Sequence, residues 1–154
     1  MAEEDPLTWE TEPSENFLDE HFLYRGINKN IWKTWENLEK IYPNFFMKRR
    51  AVDGLSCDWS KYATPQATLN HLNSDLTEYG IAELNVGEFR NEINEGNFPL
   101  TIHHDPTRIA TILLPINRAH TLIKGFKQKN TATIRRKISK IAKWAVNMRP
   151  IIEG

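Results

Sequence analysis

Cysteine is almost missing: Cys57 is the lone thiol, so an intramolecular disulfide framework is excluded. No apolar run approaches the roughly 20 residues that span a bilayer. Residues 1–24 contain no Lys or Arg, and an N-terminus this acidic is neither a signal peptide nor a transit peptide. The seven glycines are scattered, so there is no P-loop and no dinucleotide fingerprint. A GxSxG elbow, an HExxH helix and a CxxC pair are missing too, as are internal repeats and low-complexity tracts. These absences lower the expectation for the familiar enzyme classes. They point to a soluble, reducing, cytoplasmic protein with no membrane contact.

What is present is a chain of 154 residues, 40% hydrophobic and 26% charged. That is globular composition at the length of one domain. The formal net charge of zero hides a segregation. Residues 1–24 hold eight acids and no base, a net of −8. Residues 106–154 hold eleven bases and one acid, Glu153, a net of +10. Either the basic end meets an acidic partner, or the acidic N-terminus folds back over it.

The division expected from the chain is an acidic arm over 1–16 and a single globular α+β domain over 17–154. The arm carries Leu7 and Trp9, residues costly to leave in water, so an anchored arm is expected. Phe17–Ile27 reads as a short helix or strand ending at Gly26. Ile31, Trp35, Leu38 and Ile41 recur at helical spacing and predict a helix over 30–41, stopped before Pro43. Residues 44–62 show no clear period, with a turn at Asp53-Gly54. Thr64-Pro65 opens a helix with Ala67, Leu69 and Leu72 as its apolar positions. Strands are expected at 81–86 and 99–104, then two further apolar runs at 109–114 and 119–126. Ile134, Ile138, Ile141, Ala145 and Met148 predict a basic amphipathic C-terminal helix of about five turns. The architecture expected is a small sheet flanked by helices.

His103-His104-Asp105, with His120 further on, is the polar cluster that most resembles a site. Adjacent strand residues face opposite sides, so His103 and His104 should not share one ion. A strand-end histidine in a hydrogen bond beside an Asp-Pro turn accounts for them equally. No metal site and no cofactor is expected. Asp58 beside Cys57 disfavours a thiolate, so Cys57 reads as structural. Lys48-Arg49-Arg50 follow Phe45 and Phe46, which together could grip phosphates and stack bases, or form a solvated turn beside two core rings. The five tryptophans are many for this length, and an exposed indole marks an interface.

The stretch Asp53-Gly54-Leu55-Ser56-Cys57-Asp58-Trp59-Ser60-Lys61-Tyr62 with Thr64-Pro65 resembles a pattern in a group of small prokaryotic proteins of unassigned function. Leu84-Asn85-Val86-Gly87, His104-Asp105-Pro106 and Asn117-Arg118-Ala119-His120 with Ile123 and Gly125 resemble it in the same order. The resemblance covers roughly residues 22–148. It brings no activity, and implies that Ser56, Asp58, His104, Asp105, Asn117 and His120 lie near one another.

Three functions follow from these residues. The leading one is a non-catalytic module or accessory subunit that docks on a protein partner through Trp9, Lys48, Arg49, Arg50, Arg136, Lys140 and Lys143. The second is a small enzyme whose pocket collects Ser56, Asp58, His104, Asp105 and His120. The third is a nucleic-acid-binding domain that uses Lys48–Arg50 and the basic helix face.

Overall fold

The structure is a computed structural model that describes residues 4–28, 41–46, 54–72, 79–94, 100–112, 114–126 and 131–146. The strands are β1 (Phe22–Asn28), β2 (Leu55–Trp59), β3 (Tyr79–Asn85), β4 (Thr101–His104), β5 (His120–Lys124) and β6 (Lys143–Val146). The described helices are α1 (Pro65–His71), α2 (Val86–Asn94) and α3 (Thr131–Ile141). The strands form one antiparallel sheet in the order β4-β5-β2-β1-β3-β6. The fold is α+β, as expected.

Strand alternation divides the sheet into two unlike faces. Leu23, Leu55, Cys57, Trp59, Leu84 and Ile123 point into the main core. This face packs beneath α2, α3 and the 3-10 turn Pro43–Phe46, with Ile134 and Ile138 of α3 fully buried. Trp59 is its hub. Phe17 stacks on the indole at 3.9 Å, and the indole N–H donates to His21 Nδ1 at 3.1 Å. The opposite face carries Tyr24, Ser56, Asp58, Ile81 and His120. Among the described residues α1 is the helix that packs on it, where Leu69 joins Tyr24 and Ile81 in a smaller cluster. α1 starts as the sequence predicts, with Pro65 in its first turn and Thr64 Oγ1 accepting from the Ala67 N–H at 3.1 Å.

Two expectations are corrected. The long C-terminal helix is not formed: α3 is 11 residues and ends at Ile141. Residues 143–146 instead pair with the edge of β3, with Trp144 opposite Ala82 and Val146 opposite Ile81. Open ladder groups on β3 and the packing of Trp144 toward Phe45, ring centroids 6.2 Å apart, outweigh the continued helical spacing. Nor is the apolar run 109–114 a strand. Its described residues lie in the β4–β5 connection, where Ile109 is 67% and Ile112 103% exposed. The Thr111 N–H closes a turn there onto the Leu114 carbonyl. The expected helix over 30–41, with Trp32 and Trp35, lies outside the described residues apart from Ile41, as do Lys48, Arg49, Arg50 and Met148.

β2 was hidden in the stretch with no evident period. It begins at Gly54, whose φ of +138° suits glycine, and a Cβ there would sit 2.8 Å from the Ile123 carbonyl oxygen. Gly54→Ala should therefore cost about 1–3 kcal/mol. Urea denaturation measures this, and an unchanged midpoint would contradict the strained start of β2.

Candidate functional site

The less-covered face of the sheet holds a pocket of about 550 Å³. β1 supplies Tyr24 and Gly26, β2 supplies Ser56 and Asp58, and α1 supplies Thr68, His71 and Leu72. The β4–β5 connection contributes Thr107, Leu114, Pro115 and Asn117, and β5 contributes His120. Gly26 allows α1 to come close. A Cβ at Gly26 would meet Leu72 Cδ1 at 2.3 Å.

Asp58 is buried at 6% exposure. The Thr68 hydroxyl donates to its Oδ2 at 2.9 Å, the Asn117 amide to its Oδ1 at 2.8 Å, and His71 Nδ1 lies 3.1 Å from Oδ2. An ionised carboxylate only accepts, so His71 Nδ1 carries a proton and Nε2 keeps its lone pair in the neutral ring. Each bond to such a charge is worth about 1.5–3 kcal/mol, which together offsets the cost of burying it. Asn117 also accepts from the Ala119 N–H at 3.0 Å, which holds the start of β5 in register.

His120 is buried at 5% exposure. Its Nδ1 lies 2.9 Å from the Asp105 carbonyl oxygen and 3.3 Å from Asp105 Oδ2. Its Nε2 lies 3.3 Å from Ser56 Oγ. Asp58 and His120 are cross-strand partners, so both imidazoles flank one carboxylate.

His104 departs from the cluster. It pairs in register with Thr121, not His120, and so faces the core side, against the Trp59 and Tyr62 rings. Its Nε2 donates to the Arg118 carbonyl at 2.7 Å, and its Nδ1 accepts the Glu12 N–H at 2.9 Å. His103 is exposed on the other side and meets Thr101 Oγ1 at 2.7 Å. The two neighbours face apart, as strand geometry requires. Among the described residues, no group of three His, Cys, Asp or Glu side chains is placed to hold a metal ion. Cys57 is buried on the core side, and burial pushes its thiol up to about 12. It is inert.

The sequence reading missed His71, Thr68, Tyr24 and Tyr79 as pocket residues. The signal was present in part. Thr68 and His71 are three apart on a helix whose start is evident, so they share a face.

The docking candidates lie elsewhere. Arg136, Lys140 and Lys143 line a separate groove of about 610 Å³ with Ile41, Pro43, Ser139 and Trp144. Phe45 and Phe46 are each 1% exposed, so neither can stack a base. Among the described residues, no ion pair joins the acidic arm to α3. Glu4 pairs with Arg118, and Glu12 accepts from Lys61, Tyr62 and Asn16. Arg108 donates to the Trp9 carbonyl and the Thr11 hydroxyl, and the Arg118 guanidinium lies 5.8 Å over the Trp9 ring. Beyond the arm, Asp19 pairs with Arg90.

With the geometry set out, comparison adds nothing to it: no protein family, no curated protein and no solved structure matches this chain.

The arm contact is sensitive to acid. Burial opposes ionisation of Glu12, but the bonds from Lys61, Tyr62 and Asn16 outweigh it and pull its carboxyl from 4.5 down to about 2. Burial likewise pushes His104 below 6.5, against its bond to the Arg118 carbonyl. Both groups bind a proton more readily once the fold opens, so stability falls with falling pH. The His104 contribution is complete above pH 6.5 and is lost as pH drops through its folded value. That of Glu12 is complete above pH 4.5 and is lost toward about pH 2. Denaturant titrations across this range should show both losses, and Glu12→Gln should remove the lower one. Identical pH profiles for the two proteins would contradict the account.

Proposed function

We propose that this chain is a small enzyme that performs general acid–base chemistry on a small polar molecule in the pocket between β1, β2, β5 and α1. One observation supports the reading: two imidazoles, His71 and His120, line one pocket, each with its Nδ1 against an acceptor, and the Nε2 of His120 lies 3.3 Å from Ser56 Oγ. Such orientation of a base by a second group is the recurrent arrangement in proton-transfer sites. In this reading Ser56, Asp58 and His120 form the working face of the pocket, Asp105 stands behind His120, and His104 has no part. The pocket's volume suits a single small ligand.

The test is a panel of chromogenic esters, amides, glycosides and phosphodiesters, joined to a fragment screen read on ¹⁵N-histidine resonances. Turnover of at least one substrate class is expected, reduced roughly 10²-fold or more by His120→Ala or His71→Ala. Fragments should shift His71 and His120 but not His103. A panel without turnover and fragments that leave both imidazoles unmoved would overturn the reading.

A docking role has separate support. The arm's paired acids Glu12 and Glu4 engage Lys61 and Arg118, Arg108 meets the Trp9 carbonyl and the Thr11 hydroxyl, and no ion pair among the described residues reaches Arg136, Lys140 or Lys143. These cations flank Trp144 in one groove, which suits an acidic protein partner. An acidic peptide should bind there, weaken as salt rises, and be lost in Arg136→Glu/Lys140→Glu. Salt-independent binding, or binding unaffected by the double substitution, would exclude the groove. Preference for a single-stranded oligonucleotide would move the role to nucleic acid.

A further inference from the structure

We propose that Ser56 is a nucleophile and that the pocket cleaves small carboxylic esters through an acyl–Ser56 intermediate, with His120 as base and Asp105 as positioning residue. The inference rests on the enzyme reading of the same pocket and names its substrate class.

The argument begins with the proton on His120. Both partners of Nδ1, the Asp105 carbonyl at 2.9 Å and its carboxylate Oδ2 at 3.3 Å, are acceptors. In the neutral ring the proton is therefore on Nδ1, and Nε2 holds a lone pair. The only hydrogen that can lie in the 3.3 Å contact between Nε2 and Ser56 Oγ is that of the serine. The hydroxyl thus donates to the imidazole, the polarity that activates a serine, and the base is itself oriented by a third group. The separation is at the loose end expected of an empty site.

The walls select the substrate. Tyr24, Leu72, Leu114 and Pro115 are apolar or aromatic, while the acid among the lining residues is the buried Asp58. The guanidinium of Arg25 donates to the Phe45 and Ser56 carbonyls at 2.9 Å each. An anionic phosphoester would meet a carboxylate there, whereas a neutral acyl group would meet carbon. Tyr24 lies on the same face as Ser56, diagonal to it across the β1–β2 pair. Its phenol, which burial and Glu83 push above its ordinary range, is the donor that the proposal assigns to the developing oxyanion.

The steps balance without a co-reactant other than water. Ser56 Oγ bonds to the carbonyl carbon as its proton passes to His120 Nε2, and the carbonyl π pair moves onto oxygen. Collapse breaks the bond to the alkoxide, which leaves as the alcohol with the proton from Nε2. Water then adds to the acyl group while His120 takes a proton. The carbon–Oγ bond breaks, Oγ recovers that proton, and the carboxylic acid departs. No group is oxidised or reduced.

The experiment treats the full chain with a fluorophosphonate and maps the adduct by mass spectrometry, alongside hydrolysis of p-nitrophenyl acetate and butyrate. Modification is expected at Ser56 alone, and roughly 10²-fold or more slower in His120→Ala. Ser56→Ala should abolish it while the circular dichroism spectrum stays unchanged. Asp105→Ala keeps the backbone acceptor and should lower kcat while leaving KM unchanged. Tyr24→Phe should lower kcat in the same way. Labelling at another serine, or at an equal rate in His120→Ala, overturns the proposal. An unlabelled Ser56 in a protein whose fragments still shift His71 and His120 overturns ester cleavage alone. An unlabelled Ser56 with no such shifts overturns the pocket reading too.

Discussion

The buried carboxylate of Asp58 is the constraint on which the polar face depends. A charge at 6% exposure on a central strand is tolerated only where donors surround it. Thr68 and His71 bring α1 to the sheet, and Asn117 brings the end of the β4–β5 connection. One side chain therefore joins three pieces of chain that are distant in sequence. It also sets the tautomer of His71 and, through Asn117 and the Ala119 amide, the start of the strand that carries His120. Stability and chemistry are coupled at this point. A substitution that frees Asp58 from its donors would disturb the orientation of both imidazoles.

Much of the fold could be read where local chemistry is strong. Thr64-Pro65 marks the start of α1 without ambiguity, and the polar cluster around His120 was rightly placed beside Ser56 and Asp58. β2 was overlooked although Leu55, Cys57 and Trp59 alternate with Ser56 and Asp58. Of its even positions Asp58 is buried too and Ser56 is half-buried, so the alternation divides apolar core from polar pocket and not core from solvent. His104 was grouped with His120 because, with Asp105, they make the polar cluster that most resembles a site in the sequence. Side-chain direction on neighbouring strands depends on register, which no spacing within one strand reveals. The C-terminal error has the opposite cause. Ile134 and Ile138 do belong to a helix, but an open edge on β3 and a place for Trp144 are tertiary facts that overrule a continuing period.

Charge segregation has a spatial counterpart that differs from simple cancellation. The arm runs beside β4 and the β4–β5 connection, where Glu4, Glu12, Trp9 and Thr11 meet Arg118, Lys61 and Arg108. The basic residues of α3 lie by Pro43 and Trp144 instead. The arm thus acts as a brace for the loop that forms one wall of the pocket, since Arg108 and Arg118 both belong to that loop. The two oppositely charged ends meet there through the pair of Glu4 with Arg118.

Gly26 sets a dimension. With no methyl group at that position, Leu72 lies where a larger residue would stand, and α1 rests close enough for Thr68 and His71 to touch Asp58. The absence of a single carbon on β1 therefore works as a gauge for the cleft. Any thicker residue there must first push aside the Leu72 side chain that closes this end of the cleft.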